Sequence, residues 1–395
     1  MTLTPQIANG VNVRIYSDDN KKGAEWLARG LNLDPTYTTL DNLPQPGSSE
    51  FLKASESIKD MLRLDKPDLI VAVESGGSYV PVVSVEITAT TPQSQHAKQR
   101  FPRLIAAAEA GIPAIYIIAA SKRSGNSVYA LGPDAYFCCD KITKINQTPV
   151  LIYEYPDDDG FLLNEIPAFP NNPRLDSPSM IEAMSTIKRL VTLKLSEATM
   201  DETMKDSRIS GELQKQKAKA SGFEISIDTF GTLKLIKTKD LYGYIQQNSE
   251  ITTNRLNFTW NWLPDRIIER DNSLIFQPTG RMFDHAGDPY TGMIAFFDYA
   301  FCREGRTVED RSMNLIYMPL NPNVRRITDE FSPSGYHSFY ENSCPFRLQG
   351  IPSNEDQFKI AHALQYGCVY LKNKPLKIYG YFSDLIVFED SLLVF

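Results

Sequence analysis

The segment PDLIVAVESGGSYVPVVSVEIT, residues 67–88, restricts what this chain can fold into more than any other stretch. Two apolar, β-branched runs flank a Gly-Gly pair, the pattern of antiparallel strands joined by a tight turn. A composition this apolar belongs in a core, yet an acid stands near each far end, Asp68 and Glu86. With the turn centred near Ser78, residues whose numbers sum to about 156 oppose one another, so Asp68 faces Thr88. Side chains alternate with a period of two. Val83, Val85 and Ile87 therefore share one face, and Val82, Ser84, Glu86 and Thr88 share the other, with Asp68 a diagonal neighbour of Glu86. Two buried acids this close require protonation, a basic partner or a divalent cation. Their hard oxygens suit Mg²⁺, which takes one or two carboxylates and keeps waters and substrate phosphates in its other positions. Such an ion activates water and stabilises a phosphorus centre, as phosphodiester hydrolysis requires.

Around the hairpin, helix-like and strand-like segments alternate: KGAEWLARGLNL, SSEFLKASESIKDMLRL, the two strands, RFPRLIAAAEAG and IPAIYIIAA. This order implies an α/β domain with a mixed sheet flanked by helices. A turn-rich passage, YPDDDGFLLNEIPAFPNNPRLDSP, extends it to residue 177. Residues 178–221 are charged and helix-forming and suggest a helical connector. Residues 222–395, rich in Tyr, Phe, Thr and Asn, suggest a second, α+β domain for recognition or interaction, with strand-like runs such as FEISIDTFGTLKLIKT and NSLIFQPTG.

Taken in order, the acid-bearing helix, Pro67-Asp68 leading a strand, the turn, VVSVEIT, the helix from QHAKQRFPRLIAAAEAG and the strand IPAIYIIAA resemble the core of the PD-(D/E)xK nuclease superfamily. That is the fold of many restriction endonucleases. The resemblance covers about residues 50–120 and rests on a short motif joined to an order of elements. It implies a restriction-endonuclease-like core in which Asp68, Glu86 and the backbone carbonyl of Ile87 hold Mg²⁺, with Glu56 as an additional acid on the preceding helix. The family's lysine, two residues after the second acid, is Thr88 here, and a hydroxyl supplies no positive charge. Some members draw the basic group from the following helix, which selects Lys98, one turn before Phe101 on a stripe continued by Leu104, Ile105 and Ala108. Gln95 is a further candidate there, and Gln93 and His96 are rivals. Arg100 and Arg103 are candidate DNA phosphate contacts.

The implied activity is Mg²⁺-dependent endonucleolytic cleavage of double-stranded DNA, of restriction type, by a homodimer if the target is palindromic. Two other readings stand beside it: a defence or repair nuclease gated by a partner or ligand, and a non-catalytic nucleic-acid-binding protein on the same fold. The formal net charge of −7 gives no global attraction to nucleic acid, so a DNA surface must be local. No apolar run is long enough to cross a bilayer. The N-terminal MTLTPQIANG lacks signal-peptide character, and the five cysteines form no CxxC pair; a cytoplasmic protein is expected. The cluster Asp284, His285 and Asp288 reads as a turn, and His337 as structural.

Overall fold

The computed structural model describes residues 10–18, 21–45, 48–88, 98–123, 127–129, 131–156, 173–249, 263–278, 288–319, 370–371, 374–388 and 392–395. The chain divides into two units, Met1–Phe223 and Glu224–Phe395.

The first unit runs β1 (Val13–Ser17), α1 (Lys22–Leu31), β2 (Thr38–Asn42), α2 (Ser49–Lys53), α3 (Glu56–Leu64), β3 (Leu69–Ser75), β4 (Ser78–Thr88), α4 (Phe101–Glu109), β5 (Ala114–Arg123), β6 (Ser127–Tyr129), α5 (Pro133–Asn146), β7 (Val150–Pro156), α6 (Pro178–Leu195), α7 (Met200–Lys205) and α8 (Ser207–Ala220). Among the described residues its seven strands form one mixed sheet in the order β2-β1-β3-β4-β5-β6, with β7 also paired to β5. Strands β4, β5 and β7 are parallel, while β3 is antiparallel to both of its neighbours, β1 and β4. The mixed, helix-flanked sheet expected from the segment order is present.

The hairpin register departs from the expected one, and the reason is a conflict of parity. Gly76 and Gly77 both take positive φ, 59° and 79°, and form a two-residue turn between Ser75 and Ser78. Such a turn makes paired residue numbers sum to an odd value. The apolar alternation demands an even one, because Leu69 and Val71 must share a face with Val83 and Val85. A β-bulge at Val82 reconciles them: Ala72 pairs with Pro81 but Val71 pairs with Val83. Pro81, which has no N–H to give, sits beside the irregularity. Beyond the bulge Ile70 pairs with Ser84 and Leu69 with Val85, so the next step sets Asp68 beside Glu86, two residues from the expected opposition to Thr88.

The odd-numbered face packs Val71, Val83, Val85 and Ile117 against Trp26 and Leu27 of α1 and Met184 and Ile187 of α6, all buried. Helices α6 and α8 are thus part of the first unit's core, and residues 178–221 are not a connector between domains. Their apolar stripe, carrying Met180, Ile187, Val191 and Ile209, is as buried as the strands beneath it. The single helix expected over residues 48–64 is two: Ala54 and Ser55 are extended, ending α2 and starting α3. The even-numbered face carries Ser84, Glu86, Thr88 and Tyr116 and lies under α4, whose Phe101, Leu104, Ile105 and Ala108 are buried as their spacing requires.

The second unit contains β8 (Leu233–Lys237), α9 (Leu241–Asn248), α10 (Asp265–Ile268), β9 (Asn272–Phe276), α11 (Asp288–Phe297), β10 (Asn314–Tyr317), β11 (Tyr370–Leu371), β12 (Lys374–Pro375), α12 (Leu376–Phe382), β13 (Leu385–Val387) and β14 (Leu392–Val394). Its main sheet has the order β14-β13-β10-β9-β8. The three central strands are parallel and the two edges antiparallel, so among the described residues this unit is mixed α/β and not the expected α+β. Of FEISIDTFGTLKLIKT only Leu233–Lys237 is strand; Ile227–Thr229 is a 3-10 turn. Asp288 opens α11, whereas Asp284, His285 and His337 lie outside the described residues.

A buried ionic network sits in this unit at the amino ends of β10 and β13. The Asp298 carboxylate, fully buried, accepts from Arg303 Nη2 at 2.5 Å and from Arg311 Nε at 2.7 Å. Arg311 and Arg270 both donate to Asp384 Oδ1, at 3.1 and 2.9 Å, and the other Asp384 oxygen takes the Leu315 N–H. Burial opposes ionisation of Asp298, but the two guanidiniums outweigh it and hold its pKa below the ordinary carboxylate value. Removing one member of such a network leaves its partners charged and buried. Asp298→Asn is therefore expected to cost about 3–5 kcal/mol of stability, read by urea denaturation of the full chain with hydrogen exchange localising the loss to residues 224–395.

Candidate functional site: an acid pair at the end of the β3–β4 hairpin

The site forms where a backbone ladder runs out. Strand β3 begins at Leu69, so β4 continues past it with main-chain groups that have no strand opposite. Side chains complete the pairing. The Ile87 N–H donates to Asp68 Oδ2 at 2.8 Å, and in return the Asp68 N–H donates to Glu86 Oε1 at 3.0 Å. Pro67, before it, has no N–H to satisfy as the chain enters the strand. This reciprocal latch orients each carboxylate by one oxygen and leaves the other oxygen directed elsewhere.

Those two outer oxygens meet at one atom. Arg103 Nη1, from the first turn of α4, donates to Asp68 Oδ1 at 2.8 Å and to Glu86 Oε2 at 3.0 Å. Arg100, one helical turn earlier on the same side, lies 4.0 Å from Asp68 Oδ1 and 3.8 Å from Glu86 Oε2. Arg100 Nε is shielded from solvent and has no hydrogen-bond acceptor among the described residues. Asp65 adds an ion pair to Arg103 at 3.8 Å. Of the three escapes available to converging acids, the fold supplies a basic partner and, by burying Glu86, favours protonation as well.

Burial still dominates at Glu86, whose side chain is 1% exposed. Loss of water, followed by repulsion from Asp68, pushes its pKa from 4.5 up to about 8, against the pull of Arg103 and Arg100. Tyr116, beneath it on β5, is likewise pushed upward by burial, and its hydroxyl shares a 3.2 Å hydrogen bond with Thr88 Oγ1.

The other expected residues fall in different places. Lys98 is buried and ion-paired with Asp134 at the start of α5, 2.7 Å away. Glu56 is exposed at the start of α3 and pairs with Lys59 at 2.8 Å. Ile87 faces Asp68 with its N–H, where the resemblance implied a role for its carbonyl. Thr88 is held by Tyr116, and its carbonyl accepts from the Tyr155 hydroxyl at 3.4 Å. Gln95 lies outside the described residues. Arg100 and Arg103, expected as phosphate contacts, are turned inward to the acid pair. Their three-residue spacing beside the buried stripe was the signal for this, since positions i and i+3 share a helix face. Asp134, the partner of Lys98, carried no comparable signal.

Comparison with known proteins finds no matching family model, no matching curated protein and no matching solved structure. The site therefore stands on its own chemistry. Among the described residues no group of three or more His, Cys, Asp or Glu side chains is assembled to hold a metal. The pair alone offers two hard oxygens already converging on one cationic atom, a donor set that fits Mg²⁺, which uses one or two carboxylates. It lies at the carboxyl end of β4, beside the parallel strands β5 and β7, the end of such sheets at which ligands bind.

The raised Glu86 pKa predicts a pH dependence. Between about 4.5 and 8 the folded chain keeps a proton that the unfolded chain has lost, so stability is full below this window and falls as pH rises through it. The slope attributable to this group is at most about 1.4 kcal/mol per pH unit. Glu86→Gln, which mimics the protonated form, is expected to flatten the slope and to be more stable than the parent above pH 8, measured by urea denaturation at a series of pH values.

Proposed function

We propose that this chain is a metal-dependent endonuclease that hydrolyses phosphodiester bonds in double-stranded DNA, with restriction of a specific site as its role. The observation that carries the reading is the meeting of Asp68 Oδ1 and Glu86 Oε2 at a single cationic nitrogen, each carboxylate being fixed from behind by a backbone N–H. Asp68 and Glu86 would hold Mg²⁺, which when bound supplies an activated water and charge stabilisation at phosphorus. The order helix, strand, turn, strand, helix, strand through α3, β3, β4, α4 and β5, with β4 and β5 parallel, supports reading this region as a restriction-endonuclease-like core.

The chain's own groups divide the remaining work. Arg100, whose Nε lacks an acceptor among the described residues, binds and orients a phosphate oxygen next to the acid pair. Lys98, just before α4, is the basic group proposed to stand in for the missing lysine at Thr88; it is ion-paired with Asp134 at 2.7 Å. The hydroxyl of Thr88, engaged by Tyr116, keeps the floor of the site rigid and leaves proton transfer to others. A homodimer placing two such sites across a palindrome would cut both strands.

One observation favours a second reading, a non-catalytic nucleic-acid-binding protein: Arg103 already neutralises the acids, and no lysine occupies the Thr88 position. Incubating plasmid DNA with the protein and Mg²⁺ separates the two. The endonuclease reading expects cleavage that chelation abolishes and that Asp68→Ala and Glu86→Ala each lower by at least about 10²- to 10³-fold. Discrete fragments would mark restriction and a smear would mark a gated or non-specific nuclease. Intact DNA with the parent protein and both variants would favour the binding reading.

A further inference from the structure

The geometry points to Arg103 as a displaceable counter-ion: its guanidinium occupies the position between Asp68 and Glu86 that a divalent cation would take, and metal binding must expel it. This rests on the acid pair being the metal site, as proposed above. The argument is one of placement. A single atom, Arg103 Nη1, reaches both outer oxygens, at 2.8 and 3.0 Å, so it sits in the space where those two oxygens converge. A dication bound to the same pair would be in van der Waals overlap with that nitrogen and repelled by its charge. A cation at that point and the guanidinium exclude one another.

The surroundings suit such an exchange. The inner oxygens are held by the Ile87 and Asp68 N–H groups and do not depend on the arginine, so the pair keeps its aim when the guanidinium leaves. Arg103 projects from the first turn of α4, and its side chain retains 12% exposure against 1% for Glu86, so the guanidinium has a route outward while the acid has none. Arg100 stays close enough to both acids, at 3.8 and 4.0 Å, to limit their repulsion during the exchange. Without metal, the arginine bridges the two acids. With metal, the freed guanidinium turns toward solvent, the side from which a DNA phosphate arrives. The arginine thus sets how much metal the site needs before it is assembled.

Calorimetric titration of the full chain with Mg²⁺, repeated with Mn²⁺, tests this without reference to cleavage. Arg103→Gln is expected to bind metal at least about tenfold more tightly than the parent, Arg103→Lys to remain near the parent, and Asp68→Ala and Glu86→Ala to bind none. Metal binding that requires Asp68 and Glu86 but is no tighter in Arg103→Gln would overturn the counter-ion role and leave the metal site standing. Absence of acid-dependent binding in both parent and Arg103→Gln would overturn the metal site itself. If Arg103→Gln does not fold, the parent protein decides: phenylglyoxal labelling of Arg103, located by mass spectrometry, should rise several-fold at saturating Mg²⁺, and unchanged labelling would refute the displacement.

Discussion

Two carboxylates fixed so that their free oxygens converge on one point leave the rest of the first unit few choices. Each is tied from behind by a main-chain N–H, so neither can rotate away without leaving a buried donor unsatisfied. A cation stands between them, because α4 starts so that Arg100 and Arg103 both point at the pair. The buried stripe of α4 fixes its rotation about its axis, and this rotation aims the arginines. Packing and electrostatics here are therefore one constraint: the residues that seal α4 onto the sheet determine which charge meets the acids.

The latch in turn depends on the bulge at Val82. A Gly-Gly turn with both φ values positive enforces one parity of pairing, and the burial of Leu69, Val71, Val83 and Val85 on a common face enforces the other. One extra residue resolves the conflict. If it were absent, the acids would fall on opposite faces of the sheet, and so would Val71 and Val83. A local irregularity in the backbone thus carries the register from the tight turn to the site at the far end of the hairpin.

The two units handle buried charge differently. In the second, Asp298 and Asp384 are enclosed by Arg270, Arg303 and Arg311, with both Asp298 oxygens occupied and its ionised form favoured. Such a network is complete and reads as structural. In the first, Glu86 stays above the ordinary carboxylate range although two arginines are near, and one of those arginines has a buried Nε without an acceptor among the described residues. The compensation here is incomplete, in contrast to the closed network of the second unit.

Much of the first unit was legible in sequence because it is written in periodicity. The hairpin, the α4 stripe and the mixed sheet follow from alternation at periods of two and of about 3.6, and the same alternation placed Asp68 and Glu86 on one face. The split of α2 from α3, the membership of α6 and α8 in the core, and the parallel centre of the second sheet were not legible, because amphipathic helices and short strands do not state which surface they pack against. Side-chain partners at long range were hidden for the same reason. Lys98 could have turned to the acids or to Asp134, and Arg103 to solvent or to the acids; sequence distance fixes neither. The sequence by itself determined that two acids would stand together at the far end of a hairpin, since the Gly-Gly turn and the demand that the apolar residues share one face both lie within residues 67–88. Only the tertiary structure decided that an arginine from the next helix stands between them, since that depends on how α4 is rotated and set against the sheet.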